Sequence, residues 1–363
     1  MHVGMCSIFQ NPRQHTSDRE VYQRDLALAV MAEPLGFESI WTVEHHFTDY
    51  TMCPDPAQFL TYMAAKTTRA RLGSMVIVLP WHDPMRAAEQ IAVLDHLSDG
   101  RMILGLGRGA GRVEFDAFRQ DMGDSRARFI ESAECVLQGL ESGFCEYQGK
   151  FVQQPRAAIR PTPFKTFKGR TYAAAVSPES VEIMARLGVG LLVIPQKPWD
   201  QVQKEVADYN TVFESLHGHK PPAPLCAGWV FCASDRDRAY EYAKRYIGGY
   251  WETVLEHYRF HEDHLKGQKG YEYYGQFADK IQRGGVDSAV DFFMNLQVWG
   301  TPEMCYETIV RNAERLGSEG FIGVFSYAGM PWDEAERSMR LFAREVMPRL
   351  QARRISGVMN WAA

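Results

Sequence analysis

The sequence predicts an α/β protein, a (β/α)8 TIM barrel with insertions after strands 4, 5 and 7. Three observations lead there. Short apolar runs alternate with amphipathic stretches along the chain, and such repeated β-helix-β units imply a parallel sheet. Eight of these units fit into 363 residues, which suits a closed barrel better than an open doubly wound sheet. Residues with chemical potential also follow many different strands, and a closed barrel gathers those strand ends on one face. No internal linker divides the chain, so 1–363 is expected to form one domain.

The elements follow in order. Residues 1–9 are a largely apolar run that turns polar at Gln10-Asn11-Pro12, a first strand. Ser17 stands three before Glu20 as in a capping box, and Leu26, Val30 and Met31 carry helical periodicity up to Gly36. A strand at 37–43, a helix at 56–68 and a strand at 71–79 come next. Asp83 as N-cap with Pro84 at the first position opens another helix. Residues 101–106 read as a strand and 126–139 as a long helix, while 143–169 is punctuated by proline and glycine like a loop or short hairpin. Then come a strand at 171–176, a helix capped by Ser177-Pro178-Glu179-Ser180, a strand at 189–194 and a helix at 199–216. A strand at 227–232, helices at 235–246 and 251–265, a strand at 321–326 and a closing helix at 332–350 complete the pattern.

Composition excludes several classes of function. Hydrophobic residues make up 45% and charged residues 23%, as in soluble globular proteins. A net charge of -5 offers no cationic field for nucleic acid. No stretch reaches the roughly 20 apolar residues of a membrane-spanning helix, and the front of the chain lacks the features of a signal peptide. Seven scattered cysteines without a C-x-x-C argue against zinc and disulfides and for a reducing, cytoplasmic setting.

Several constellations stand at strand ends. Gly105-Leu106-Gly107-Arg108-Gly109-Ala110-Gly111 resembles a dinucleotide loop, but polar Arg112, Glu114 and Asp116 follow it and Arg108 sits inside it. It is either a turn that needs glycine or a loop bringing the Arg108 fork to an anion. Arg126 starts the next helix and either joins Arg108 on one phosphate or pairs with nearby aspartates. Ser177 and Ser180 lie at a helix start, where backbone N–H groups suit an anion or merely a cap. Glu44-His45-His46 follows the second strand; a strand-end histidine is either structural or, beside a cofactor, a base or a stabiliser of a developing anion, and because adjacent side chains there point in opposite directions, one histidine can face a pocket and the other a neighbouring element or subunit. His257, His261 and His264 share one helical face, but Arg259, Glu262, Asp263 and Lys266 mark a solvated helix, and no metal is expected. Phe9, Trp81, Trp251, Trp299 and Phe325 are core aromatics or the walls of an apolar substrate pocket.

A further set of blocks runs along the chain: Val43-Glu44-His45-His46-Phe47-Thr48, Val76-Ile77-Val78-Leu79-Pro80, His82-Asp83-Pro84-Met85-Arg86, Gly107-Arg108-Gly109, Asp124-Ser125-Arg126 and Val298-Trp299-Gly300-Thr301-Pro302-Glu303. With these the sequence resembles the bacterial luciferase family of flavin-dependent monooxygenases, and within it the catalytic subunit. The resemblance implies a barrel that binds reduced FMN supplied by a separate flavin reductase, reacts it with O2 to a C4a-peroxyflavin, and oxygenates a small hydrophobic substrate. An aldehyde or ketone is the implied substrate, by Baeyer-Villiger insertion or hydroxylation.

By position, the resemblance puts Arg108, Arg126, Val176, Ser177 and Ser180 at the phosphate, and Met75, Val76, Gly107 and Pro195 also at the cofactor. The 75–76 peptide matches a cis bond of the family. The resemblance makes His45 the catalytic histidine with Glu44 nearby, His46 and Glu89 a contact across a homodimer, and 262–290 a mobile lid. Gly107 replaces a family cysteine, which would enlarge the cavity, and Val176 replaces a glutamate, so light emission is not implied. Two alternatives remain: a deazaflavin (F420)-dependent oxidoreductase on this fold, and a non-catalytic supporting subunit.

Overall fold

Strand β1 (His2–Ser7) is buried along its whole length and pairs in parallel with β2 (Ser39–Thr42), Gly4 opposite Ser39. This is a computed structural model, and it describes residues 1–174, 178–260 and 285–353 together with Glu262, Tyr271, Gly275, Ala278 and Asp279. From β2 the sheet continues through β3 (Arg71–Ser74), with the short β4 (Ile77–Val78) beyond it, to β5 (Met102–Gly107). The hairpin strands β6 (Phe144–Gln148) and β7 (Gln153–Ala158) pair with each other alone. The sheet goes on to β8 (Thr171–Ala174), β9 (Gly190–Val193), β10 (Leu225–Cys232) and, past a small side strand β11 (Val298–Gly300), to β12 (Gly320–Val324). Pairing of β9 with β10 and of β12 with β1 closes it into a parallel barrel of 8 strands. Burial on both faces, the rule for parallel strands wrapped by helices, explains their continuous apolar runs.

Local chemistry sets the helix ends. Ser17 accepts from the Glu20 backbone N–H to open α1 (Asp18–Leu35), and Gly36 closes it at φ 100. Asp55 caps α2 (Pro56–Lys66), and Asp83 caps α3 (Pro84–Leu97) by accepting from Arg86 N at 2.9 Å. The expected strand 71–79 is two pieces, β3 and β4, separated by Met75–Val76, whose peptide is cis as the resemblance implied.

Extra length lies after β5 and β10. After β5 come α4 (Arg112–Ala117), α5 (Ser125–Ser142) and the β6–β7 hairpin, which settles the punctuated stretch 143–169. After β8 a single helix, α6 (Pro178–Leu187), reaches β9, so the insertion expected after the fifth strand is absent. Helix α7 (Trp199–His217) leads to β10. Beyond β10, α8 (Arg236–Tyr242) passes through a π-helical turn at Ala243–Ile247 straight into α9 (Gly248–His257), replacing the two separate helices expected. Gly248 lies where a Cβ would come within 2.9 Å of Val290 Cγ1 on α10 (Val286–Leu296), so glycine there serves close packing. Most of the stretch 262–290 expected as a lid lies outside the described residues, and 286–290 opens α10. After β11, α11 (Pro302–Leu316) leads to β12. The closing helix divides into α12 (Trp332–Glu345) and α13 (Met347–Gln351) at Pro348, which supplies no N–H. All seven cysteines are free and buried, and among the described residues no helix is long and apolar enough to cross a membrane.

Two buried carboxylates knit the barrel to its helices. Asp95 on α3 receives Arg170 in a two-pronged pair at 2.6 and 2.7 Å. Asp25 on α1 accepts from Phe9 N at 3.0 Å and from Ser326 Oγ at 2.8 Å. Burial pushes the Asp25 carboxyl up to about 6, against a partial lowering by these two bonds. A carboxyl with a raised folded-state pKa weakens the fold as pH climbs through that value. Asp25→Asn is therefore expected to stabilise by roughly 2–3 kcal/mol at pH 8, with the gain gone below about pH 4. Thermal unfolding at the two pH values checks this, and a gain equal at both would refute it.

Candidate active site

The carboxyl ends of the barrel strands open into one cavity. The segment after β2 contributes Val43, Glu44 and His45; Met75 and Val76 precede β4 and Val78 ends it; Trp81 follows; Gly107 ends β5, and the turn after it contributes Arg108, Gly109 and Ala110. Arg126 and Phe129 enter from α5, Ser180, Ile183 and Met184 from α6, and Tyr258 and Phe260 from just beyond α9. The Arg108 and Arg126 guanidiniums, on different elements, both reach this cavity, and Arg126 stands 3.7 Å from Glu179 at the start of α6. Val176 and Ser177 lie outside the described residues. Two cationic side chains beside apolar walls suit a ligand with an anionic end and an apolar body.

Gly107 does not enlarge the cavity as expected. A Cβ there would come within 2.2 Å of Val76 Cγ2, so valine at 76 already occupies the volume that glycine at 107 vacates. Gly109, at φ 77, lies against Val78 and Trp81, where a Cβ would meet their side chains at 2.8 and 2.9 Å.

Two buried glutamates organise the histidines. Glu44 accepts from Val78 N at 2.8 Å and binds His82 Nε2 at 2.8 Å and His46 Nε2 at 3.1 Å. Burial opposes its charge, but these bonds hold the carboxyl below its ordinary value. His45 turns the other way, as adjacent strand-end residues should. Its Nδ1 lies 2.9 Å from Glu114 Oε1, which also accepts from His46 N at 3.0 Å. Burial works against the Glu114 charge too, yet His45 and His257 bring it down to about 2. An ionised carboxylate only accepts, so when His45 is neutral it carries its proton on Nδ1 and keeps the Nε2 lone pair.

His257 corrects the reading of a solvated helix face. It is buried, Nδ1 lies 3.0 Å from Thr48 Oγ1, Nε2 lies 3.7 Å from Glu114 Oε2, and its ring stacks on Tyr50. Burial lowers its pKa. His261 and His264 lie outside the described residues. His45, Glu114 and His257 bring ligating atoms within 4.8 Å of one another; two nitrogens engage Glu114 Oε1, while Glu114 Oε2 and His257 Nε2 are buried without a hydrogen-bond partner among the described residues.

Of the five expected pocket aromatics, only Trp81 lines the cavity. Phe9 stacks on Tyr22 at 4.5 Å and meets Phe59 at 5.2 Å, filling space between β1 and the first two helices. Trp251 stacks on Phe293 at 4.3 Å, on the side of α9 that faces α10. Trp299 donates its ring N–H to Met294 O and rests by Tyr240. Phe325 packs with Phe37 and Phe342 between barrel and helices. Pro195 sits between the lining residues Ile194 and Gln196, and its carbonyl accepts from Gln297. His46 is engaged within the chain by Glu44 and packs on Trp81 and Phe118, while Glu89 on α3 stands 3.7 Å from Arg86.

Comparison with known proteins agrees with this fold. The family profile of luciferase-like monooxygenases matches residues 1–319. The alkanal monooxygenase alpha chain of Photorhabdus laumondii is 26% identical over 98% of this chain and 99% of its own. The crystal structure of monooxygenase RslO1 from Streptomyces bottropensis superposes with a TM-score of 0.75 at 28% identity, covering 96% of this chain and 99% of that one. The oxygenating constituent of 3,6-diketocamphane monooxygenase from Pseudomonas putida, a type II Baeyer-Villiger enzyme in complex with FMN, shares the fold with a TM-score of 0.73 at 20% identity, covering 96% of this chain and 99% of that one.

Proposed function

Because the chain belongs to the luciferase-like monooxygenase family, we propose that it is a flavin-dependent monooxygenase that uses reduced FMN and O2 to oxygenate a hydrophobic aldehyde or ketone. The observation that carries this is one cavity holding two guanidiniums, apolar walls and the Glu114-held His45. Arg108, Arg126 and Ser180, with the neighbouring 176–177 segment, bind the phosphate. Met75, Val76 and Gly107 support the ring system. Bound reduced flavin supplies the electrons that activate oxygen. His45 Nε2 accepts or returns a proton at the reacting oxygen, and Trp81 helps to keep water out. Glu44 acts one step away, holding His46 and His82.

The reduced cofactor comes from a separate reductase in transient contact, since no nicotinamide site is evident in the sequence. The working form is a cytoplasmic homodimer in which His46 of one copy lies near Glu89 of the other.

The test uses photoreduced FMN, 18O2 and a panel of hydrophobic aldehydes and ketones, with products read by mass spectrometry. One labelled oxygen per product is expected. Flavin oxidation without labelled product, together with substrate reduction by a reduced deazaflavin, would overturn the reading in favour of hydride transfer.

A further inference from the structure

We propose that Tyr271 is a positioning residue for the phosphate end of the cavity, bracing the Arg108 turn against the head of α5. Its ring is buried and lies 4.0 Å from the Arg108 guanidinium carbon. Stacking of this kind uses the face of the guanidinium and spends none of the N–H groups along its edge. The Tyr271 hydroxyl donates to Gly109 O at 2.8 Å and lies 2.9 Å from Ser125 Oγ. A phenol has one proton, and the Gly109 carbonyl can only accept it, so the Ser125 hydroxyl is the donor to Tyr271. Ser125 is buried, begins α5 and precedes Arg126. One side chain therefore touches both elements that deliver a guanidinium, across sequence separations of 162 and 146 residues.

The inference rests on the reading that these arginines hold the flavin phosphate. It is tested by comparing FMN with riboflavin, which lacks the phosphate, each photoreduced under nitrogen and titrated into the full chain. The wild-type protein is expected to prefer FMN. Absence of that preference would overturn the phosphate reading itself. Tyr271→Phe keeps the ring stack and loses both hydrogen bonds. It is expected to weaken FMN binding by about tenfold while riboflavin affinity stays unchanged. Ser125→Ala breaks the same brace from the other side and should lower the FMN-to-riboflavin preference in the same direction. A preference retained in both variants, or an equal loss for both flavins, would overturn the role of Tyr271. Circular dichroism of both variants confirms that the fold is kept.

Discussion

Replacing Glu114 by glutamine is expected to lower turnover by about 10²- to 10⁴-fold while leaving flavin affinity nearly unchanged. The carboxylate accepts from His45 Nδ1 at 2.9 Å and so leaves the Nε2 lone pair for the reacting oxygen. A glutamine can present its N–H₂ to the same nitrogen, which moves the ring proton to Nε2 and removes the base. Steady-state oxygenation with photoreduced FMN, run beside a flavin titration, separates the two effects. A variant that turns over like the parent would show that the tautomer of His45 is immaterial. The same carboxylate also bears on acid stability. Its folded-state value, about 2, lies below the usual 4.5. The stability it contributes is thus full above the unfolded value and is lost as pH falls towards 2.

The second large effect is structural. Arg170 is buried, and its N–H groups are taken by Asp95, Met102 O, Lys165 O and Thr166 O. Arg170→Met leaves Asp95, which is fully buried, without its counter-charge, and is expected to cost about 3–5 kcal/mol in urea unfolding. Adding Asp95→Leu should recover much of this loss, because the uncompensated charge goes too. A double variant no more stable than Arg170→Met would mean that the backbone carbonyls around Arg170, not the ion pair, dominate.

How much of this was legible in the sequence follows from the range of the forces involved. The caps at Ser17 and Asp83 and the apolar strands rest on local sequence and show in the chain itself, and the barrel follows from the count of β-helix-β units and from the residues gathered at strand ends. The interruption at Met75–Val76 left no local mark beyond the resemblance. In the sequence Glu114 is visible only as one of three charges after a glycine loop. Its pairing with His45 and His257 spans distant parts of the chain, and no periodicity carries such a contact. His257 was misjudged because its helix neighbours are charged, whereas the ring points inward onto Tyr50. The pocket aromatics failed for a related reason. Proximity to a strand end does not say whether a ring faces the barrel mouth or the surrounding helices, and Phe325 and Trp251 face the helices.

The placement of sulfur has a consequence for durability. Thiol damage by peroxide starts from an accessible thiolate, and every cysteine here is buried. Burial alone pushes Cys226 up to about 12. With glycine at 107 no thiol lines the cavity among the described residues, whereas the thioethers of Met75 and Met184 do. If oxygen reacts in this chamber, as the proposed function requires, wear falls on methionine, as a sulfoxide that methionine sulfoxide reductases can reverse and a thiol reductant such as glutathione leaves in place.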